Sequence, residues 1–251
     1  MFYRVAAVSF AALLFISPIR LGNLVGALLH AQVVTAAAAT KEQVPSEVDD
    51  LFGLATEPVL VGSILTRWSG AEAGIRADNQ ILALCRVGGS CPEAARRFLA
   101  IVDQGRAHDG RARIGVINRA INLAITPMDD LTQWGVPDRW SPPLETFTTG
   151  HGDCEDYAIA KYVALKAAGV DEVKLVVARN IIARENHAAV AVRLDGKWLI
   201  LDNRSLALIA DSEWRSELPL FVLDENGVRR FILPDKLFTK LTQILKIFKT
   251  S

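Results

Sequence analysis

The stretch GHGDCEDYAIAKY, Gly150–Tyr162, sets one thiol, Cys154, among three carboxylates, Asp153, Glu155 and Asp156. The thiolate is the reactive form of cysteine, and adjacent negative charge makes it harder to form. The apolar residues that follow predict a helix from about Cys154 to Ala168, stopped by Gly169. Cys154 then stands in the first turn, where unpaired N–H groups and the positive end of the dipole favour a thiolate. Singly, the acids have an ordinary reading, with Asp153 as N-cap and Glu155 and Asp156 as first-turn acids. Together they crowd the sulfur, and a bound cation would remove the conflict. Oxygen-only ligands on a loop suit a hard ion such as calcium, although no EF-hand pattern is present.

A nucleophilic cysteine needs a base and a group that holds the base. Of four histidines, His30 lies in the apolar N-terminus, His108 in the polar turn GRAHDGR, and His151 in the loop before Cys154. His187 opens an alternating run that reads as a strand. If Asp195-Gly196 closes a two-residue hairpin, Leu194 faces Lys197, and outward counting sets His187 opposite Arg204. Asp202 points to the same face and becomes a diagonal neighbour of His187. Alone, His187 reads as a strand histidine and Asp202 as a strand-end aspartate. With Cys154 they form a candidate triad, though chain order alone is weak support because triads recur in several orders. Cys85 and Cys91, six apart around RVGGS, are candidate disulfide partners, which leaves Cys154 free. The bland reading of Cys154 is a small buried hydrophobe.

The elements that must hold these residues are legible in outline. CPEAARRFLAIVDQG predicts a helix with Pro92 in its first turn and Gly105 at its stop. RARIGVINRAINLAI puts Ile114, Ile117, Ile121 and Ala124 on one helical face. Thr126–Gly150, rich in proline and aromatics, reads as a long loop, either pinned to the core by its tryptophans or forming a cleft wall. Past Gly169 the period shortens. VKLVVARNII, HAAVAVRL, KWLILDN, LFVL and VRRFI read as strands, with hairpin turns at Asp195-Gly196 and Asn226-Gly227. Helices followed by an antiparallel sheet define an α+β domain. The tail, about 235–249, carries an amphipathic stripe read as a helix docking onto the domain.

Composition narrows the function. The 251 residues are 51% hydrophobic and balance 28 basic against 28 acidic side chains. This excludes the basic footprint of a nucleic-acid-binding protein. Residues 1–39 read as a secretory signal: Arg4, an apolar run from Val5 to Ile16, and an Ala-x-Ala site near Ala39. The domain then occupies 40–251, with Lys41–Thr56 as a linker or N-terminal arm.

GDCEDYAIAKYVAL, with QWGVPDRWSPPLETF before it and HAAVAVR and WLILDNR after it, resembles the bacterial transglutaminase-like cysteine proteinases of the LapG-like periplasmic kind. The resemblance spans about Leu51 to Ile232. It implies a papain/transglutaminase-like fold with Cys154 as nucleophile, His187 as base and Asp202 as orienting acid. It implies calcium held by Asp153, Glu155 and Asp156, and no organic cofactor. It also implies a protein substrate, namely a surface adhesin of biofilms, and an inner-membrane cyclic di-GMP receptor as regulator. Asn118 and Trp140 are candidates to line the cleft or stabilise an oxyanion. Two alternatives share the fold: a transglutaminase-type acyl transferase, and a non-catalytic binding module.

Overall fold

The structure, a computed structural model, describes residues 51–234 and the short strand Glu47–Val48. The expected signal (1–39) and tail helix (about 235–249) lie outside the described residues. Among the described residues no helix is long and apolar enough to cross a membrane.

The sheet follows from alternation. Its strands are β1 (Glu47–Val48), β2 (Ala55–Pro58), β5 (Val173–Asn180), β6 (Asn186–Leu194), β7 (Lys197–Leu201), β8 (Leu208–Ala210), β9 (Glu217–Asp224) and β10 (Gly227–Phe231). They pair antiparallel in the order β1-β2-β10-β9-β5-β6-β7-β8. β3 (Thr126–Pro127) and β4 (His151–Gly152) form a separate parallel pair. Along β5 and β6, Leu175, Val177, Val190 and Val192 face the helices, while Val176, Ala178, Ala189 and Ala191 face a second core with Trp198, Trp214 and Phe231. That is the period-2 division of a sheet buried on both faces.

The helices are α1 (Ser63–Arg86), α2 (Glu93–Arg106), α3 (Gly110–Ala124), α4 (Asp130–Trp134), α5 (Pro143–Thr149) and α6 (Cys154–Ala167). α6 packs between α2, α3 and α5 on one side and β5 and β6 on the other. Every residue from Asp156 to Leu165 is buried, so this helix is apolar nearly all round, as a central helix must be. Gly169 follows it with φ +84°, the left-handed stop expected there. A disulfide joins Cys85 at the end of α1 to Cys91 before α2.

Several readings are corrected. Thr126–Gly150 is not one loop but carries β3, α4 and α5. Asp129 caps α4 by accepting from the Thr132 N–H at 2.9 Å, Pro143 opens α5, and Gly135 and Gly150 end the two helices at φ +72°. Leu144 and Phe147, rather than the tryptophans, bury this segment in the core. Gly105 is not a stop. It lies inside α2, where a Cβ would come within 2.5 Å of Ile117, so a glycine allows α2 and α3 to close up. Pro92 is the N-cap of α2 rather than part of its first turn. The second hairpin turn sits one residue earlier than expected, at Glu225-Asn226, with Gly227 already paired to Asp224. The end of the presumed linker is folded: Leu51 is fully buried and β2 pairs with β10.

Phe98 of α2 is fully buried edge-on to Phe147 of α5, with ring centroids 5.3 Å apart. Phe98→Ala should cost about 3–5 kcal/mol of stability through the cavity it leaves. Chemical denaturation of the two proteins checks this.

Candidate active site

Cys154 is the first residue of α6, and its sulfur lines a cleft of about 530 Å³ together with His187, Ala188, Trp140 and Glu155. The Ala188 backbone N–H donates to the sulfur. The thiol in turn donates to Glu155 Oε2 at 3.0 Å. Burial, and then the Glu155 and Asp153 carboxylates, push the Cys154 thiol far up. In this protonation state the thiol is held as a thiol.

The hairpin count holds from the turn as far as Val190 opposite Leu201, and the expected pairing of His187 with Arg204 is not made. Asp195 and Gly196 take φ +50° and +74°, the left-handed pair a two-residue turn requires, and Leu194 pairs with Lys197. Regular pairing stops at Leu201, so Asp202 leaves the ladder and turns its carboxylate to His187 Nε2 at 3.1 Å. Both side chains are buried. With Nε2 engaged, Nδ1 is the ring nitrogen left for other partners.

Asp202 is the best-satisfied carboxylate of the site. Its Oδ1 accepts from the Arg204 backbone N–H (2.9 Å) and Nε (3.0 Å). Its Oδ2 accepts from Arg204 Nη2 (2.6 Å) and Trp214 Nε1 (3.2 Å). Burial alone would raise its pKa, but the hydrogen bonds from His187 and Arg204 outweigh it and hold the carboxyl well below the usual range. Arg204 also reaches Glu217 Oε1 at 2.9 Å, which accepts from Asn180 Nδ2 at 2.6 Å.

The acids around Cys154 are the opposite case. Asp153 occupies the N-cap position, yet its side chain makes no capping bond, and its Oδ1 is buried without a partner. Asp156 accepts from the Ser141 N–H at 2.8 Å, but its Oδ2 is buried and unpartnered. Asp130, from α4, accepts from the Arg139 N–H and leaves Oδ1 in the same condition. One oxygen from each of these three lies within 4.8 Å of the others. Burial first, then neighbouring carboxylates including Glu155, push Asp153 up to about 9 and Asp156 up to about 8, the latter against the pull of Ser141. Glu155 falls into two further groups, one with Asp153 and Cys154 and one with Asp130 and Asp138. The three acids expected from the sequence thus do not form one group: Asp153 and Asp156 meet with Asp130, while Glu155 meets Asp153 beside Cys154 and Asp130 beside Asp138. Gly152 permits this packing, since a Cβ there would sit 2.7 Å from that of Asp156.

Trp140 lines the cleft as expected, with its indole N–H donated to Asp138. Asn118 does not line it. It is fully buried on α3, and its amide donates to Leu206 O. The interior face of α3 claims it, because a residue one turn from Ile114 and Ile121 points inward. His151 is half-buried, its ring held by Thr149 O at 2.8 Å. Sequence reasoning missed Asp130, Asp138, Arg204, Trp214 and Glu217. Only Arg204 had a local signal, its place two residues from Asp202.

Residues 92–216 match the model of the bacterial transglutaminase-like cysteine proteinases, a family of cysteine peptidases. Among the solved structures it matches are those of Legionella pneumophila LapG. One is 21% identical, covering 67% of this chain and 96% of that one at a TM-score of 0.52. The calcium-bound form aligns over 61% of this chain and 87% of its own at 0.51, and the EGTA-treated form over 62% and 86% at 0.52, each 21% identical. This likeness is one of fold. By sequence alone no curated protein matches the chain.

The Arg204 side chain supplies two of the donors to Asp202, so Arg204→Gln should lower stability at neutral pH by about 1–3 kcal/mol. A depressed carboxyl contributes stability that is present above its unfolded value of about 3.9 and is lost as pH falls through its folded value. The deficit of the variant should therefore shrink in acid. Urea unfolding near neutrality and again near pH 3 reads it.

Proposed function

We propose that the chain is an exported, periplasmic cysteine endopeptidase with Cys154 as nucleophile, His187 as general base and Asp202 as its orienting carboxylate. The observation that carries this reading is the buried 3.1 Å bond from His187 Nε2 to Asp202, in a cleft that also exposes Cys154 at the start of a central helix. In the reaction His187 takes the thiol proton, and the thiolate attacks the substrate carbonyl. Unpaired first-turn N–H groups of α6 stabilise the oxyanion. His187 then returns the proton to the leaving amine, and water, deprotonated by His187, hydrolyses the thioester. Asp202 holds the imidazole in place and offsets its charge while it is protonated.

Calcium fits the acid cluster. Three carboxylates, each with a buried unpartnered oxygen, need either protons or a cation, and an all-oxygen set suits a hard ion. Asp130, Asp153 and Asp156 would hold it, with Glu155 and Asp138 alongside. When bound, it would offset the negative charge that keeps Cys154 protonated. The existence of LapG structures in calcium-bound and EGTA-treated forms is consistent with this assignment. The family resemblance extends the reading to a surface adhesin as substrate and an inner-membrane cyclic di-GMP receptor as regulator.

The first test is the iodoacetamide alkylation rate of Cys154 against pH, with calcium, with chelator, and in His187→Ala. The expected profile shows a thiolate forming below the free-cysteine value of about 8.5 only in the calcium-loaded parent. Slow alkylation in all three samples would remove the enzymatic reading. Product masses then separate hydrolysis, which leaves two peptides, from acyl transfer, which leaves an adduct.

A second prediction concerns stability. Carboxyls raised above their unfolded value of about 4 keep protons that the unfolded chain releases, so folding weakens as pH rises from there toward about 8–9. In chelator the melting temperature should fall across that window. Calcium should flatten the decline, adding about 2.7 kcal/mol at a hundredfold excess over its dissociation constant. Melting curves that ignore calcium on the alkaline side would exclude the site.

A further inference from the structure

The turn ahead of β2 holds an aromatic residue in a backbone conformation that aromatic residues avoid. Phe52 has φ +59° and ψ 9°, in the left-handed region, where its Cβ crowds the backbone. Such strain persists only where the surroundings over-determine it. The Phe52 backbone N–H donates to Asp211 Oδ2 at 2.7 Å, and its ring stacks on Trp214 with centroids 6.0 Å and planes 17° apart. Phe231 of β10 meets the same ring edge-on at 5.7 Å. Asp211 serves both partners, since its carboxylate takes the Phe52 N–H and its carbonyl takes the Trp214 N–H at 3.1 Å. Phe52 lies ahead of the residues that match the family model, and nothing in the reaction described above uses it.

Trp214 carries the contact inward. It is buried, and its indole N–H donates to Asp202 Oδ2 at 3.2 Å, the same oxygen that faces His187 Nε2 at 3.1 Å. A buried indole N–H needs an acceptor, and here it takes the oxygen that orients the candidate base. The Trp214 ring also lies against the imidazole, with centroids 6.1 Å apart and planes tilted by 52°. A cavity of about 610 Å³ is lined by Phe52, Trp214 and Pro219 among others, and neither His187 nor Asp202 reaches it. Trp214 thus borders both this cavity and the His187–Asp202 pair, with Phe52 beside it in the wall.

We infer that Phe52 is a positioning residue for the His187–Asp202 pair, acting through Trp214: its ring, held at a left-handed turn, seats the indole so that the N–H meets Asp202 Oδ2 and the ring keeps water from the bond to His187. Filling space on this face of the sheet calls for apolar volume only. A flat stack at a strained turn does more, because it sets the orientation of the ring it touches. Arg204 holds the Asp202 carboxylate without help from Trp214. Loss of the indole's seat therefore leaves Asp202 in place and acts on His187, whose Nε2 proton meets water and whose ring is freer to turn. An imidazole that takes a proton on one nitrogen while the other stays donated to a carboxylate needs that second proton kept where it is.

The inference rests on the peptidase reading only in treating His187 as the base, and its test needs no substrate. In the full chain with calcium and labelled histidine, NMR reads the exchange of the His187 Nε2 proton with water. Glycine adopts φ +59° without strain, so Phe52→Gly keeps the turn and removes the ring. It should speed that exchange about tenfold or more, while amides inside α6, such as that of Leu165, keep parental rates. Phe52→Tyr keeps the ring and should stay within about twofold of the parent. Unchanged ring exchange in folded Phe52→Gly overturns the inference. So does an equal acceleration in Phe52→Tyr, and so does a matching loss of protection in α6, which makes Phe52 a stability residue only. If Phe52→Gly fails to fold, Phe52→Leu keeps apolar volume without the flat stack. It should speed the exchange about threefold or more, and no change overturns the inference. Failure of the peptidase reading would instead show as an unreactive Cys154 beside the expected exchange rates, so the two failures are distinguishable.

Discussion

The start of α6, half-buried at the cleft at the head of a buried helix, is the constraint on which the rest of the site depends. A helix otherwise covered on every side has little solvent at its N-terminus to satisfy orphan N–H groups or to screen charge. The chain meets this by bringing other elements to that point: α4 with Asp130, the Trp140–Ser141 segment that donates to Asp156, and β6, whose Ala188 N–H reaches the Cys154 sulfur. The parallel contact of β3 with β4 ties the two ends of the 126–152 excursion together, so that Asp130 arrives beside Asp153. The same burial that positions the thiol also makes its charged form costly, and each feature of the site can be traced to that conflict.

Two groups of carboxylates resolve the conflict differently. Asp202 is complete within the protein: His187, Arg204 and Trp214 saturate it, and it needs no further ligand to stay ionised. Asp130, Asp153 and Asp156 each end in a buried oxygen with no hydrogen-bond donor among the described residues. A side chain in the N-cap position that makes no cap has given up its ordinary stabilising role. Differences of this kind separate an acid that positions a base from acids waiting for a ligand.

The legibility of the sequence followed the range of the forces involved. The β6–β7 register was readable because Asp195-Gly196 admits essentially one turn, and everything outward from it is counting. α3 and α6 were readable because their apolar spacing repeats over several turns. α4 and α5 were not, being too short for periodicity. They stand on local caps and on side chains from afar, as where Asp78 of α1 accepts the Leu144 N–H at 2.7 Å. Asp130 and Asp138 were hidden for the same reason, since only the folded excursion brings them to Glu155. Trp214 and Glu217 reach Asp202 and Arg204 from beyond β8, and no spacing rule connects them. Asn118 was misread because its face was known but not its neighbour.

The three acids around Cys154 now have a physical account within the proposed reading. Glu155 accepts a hydrogen bond from the thiol at 3.0 Å, and the Asp153 carboxylate further disfavours the thiolate. Without compensation this arrangement protects the sulfur from chemistry more effectively than burial alone. A cation drawing on Asp153 and Glu155 would compete for the same oxygens that hold the thiol proton, while the α6 dipole and the Ala188 N–H remain as permanent contributions in favour of the thiolate. The acids therefore do not contradict a nucleophilic cysteine. They make its reactivity conditional on neutralising them, and a protease that must stay inert until its conditions are met gains by keeping its nucleophile in such a position.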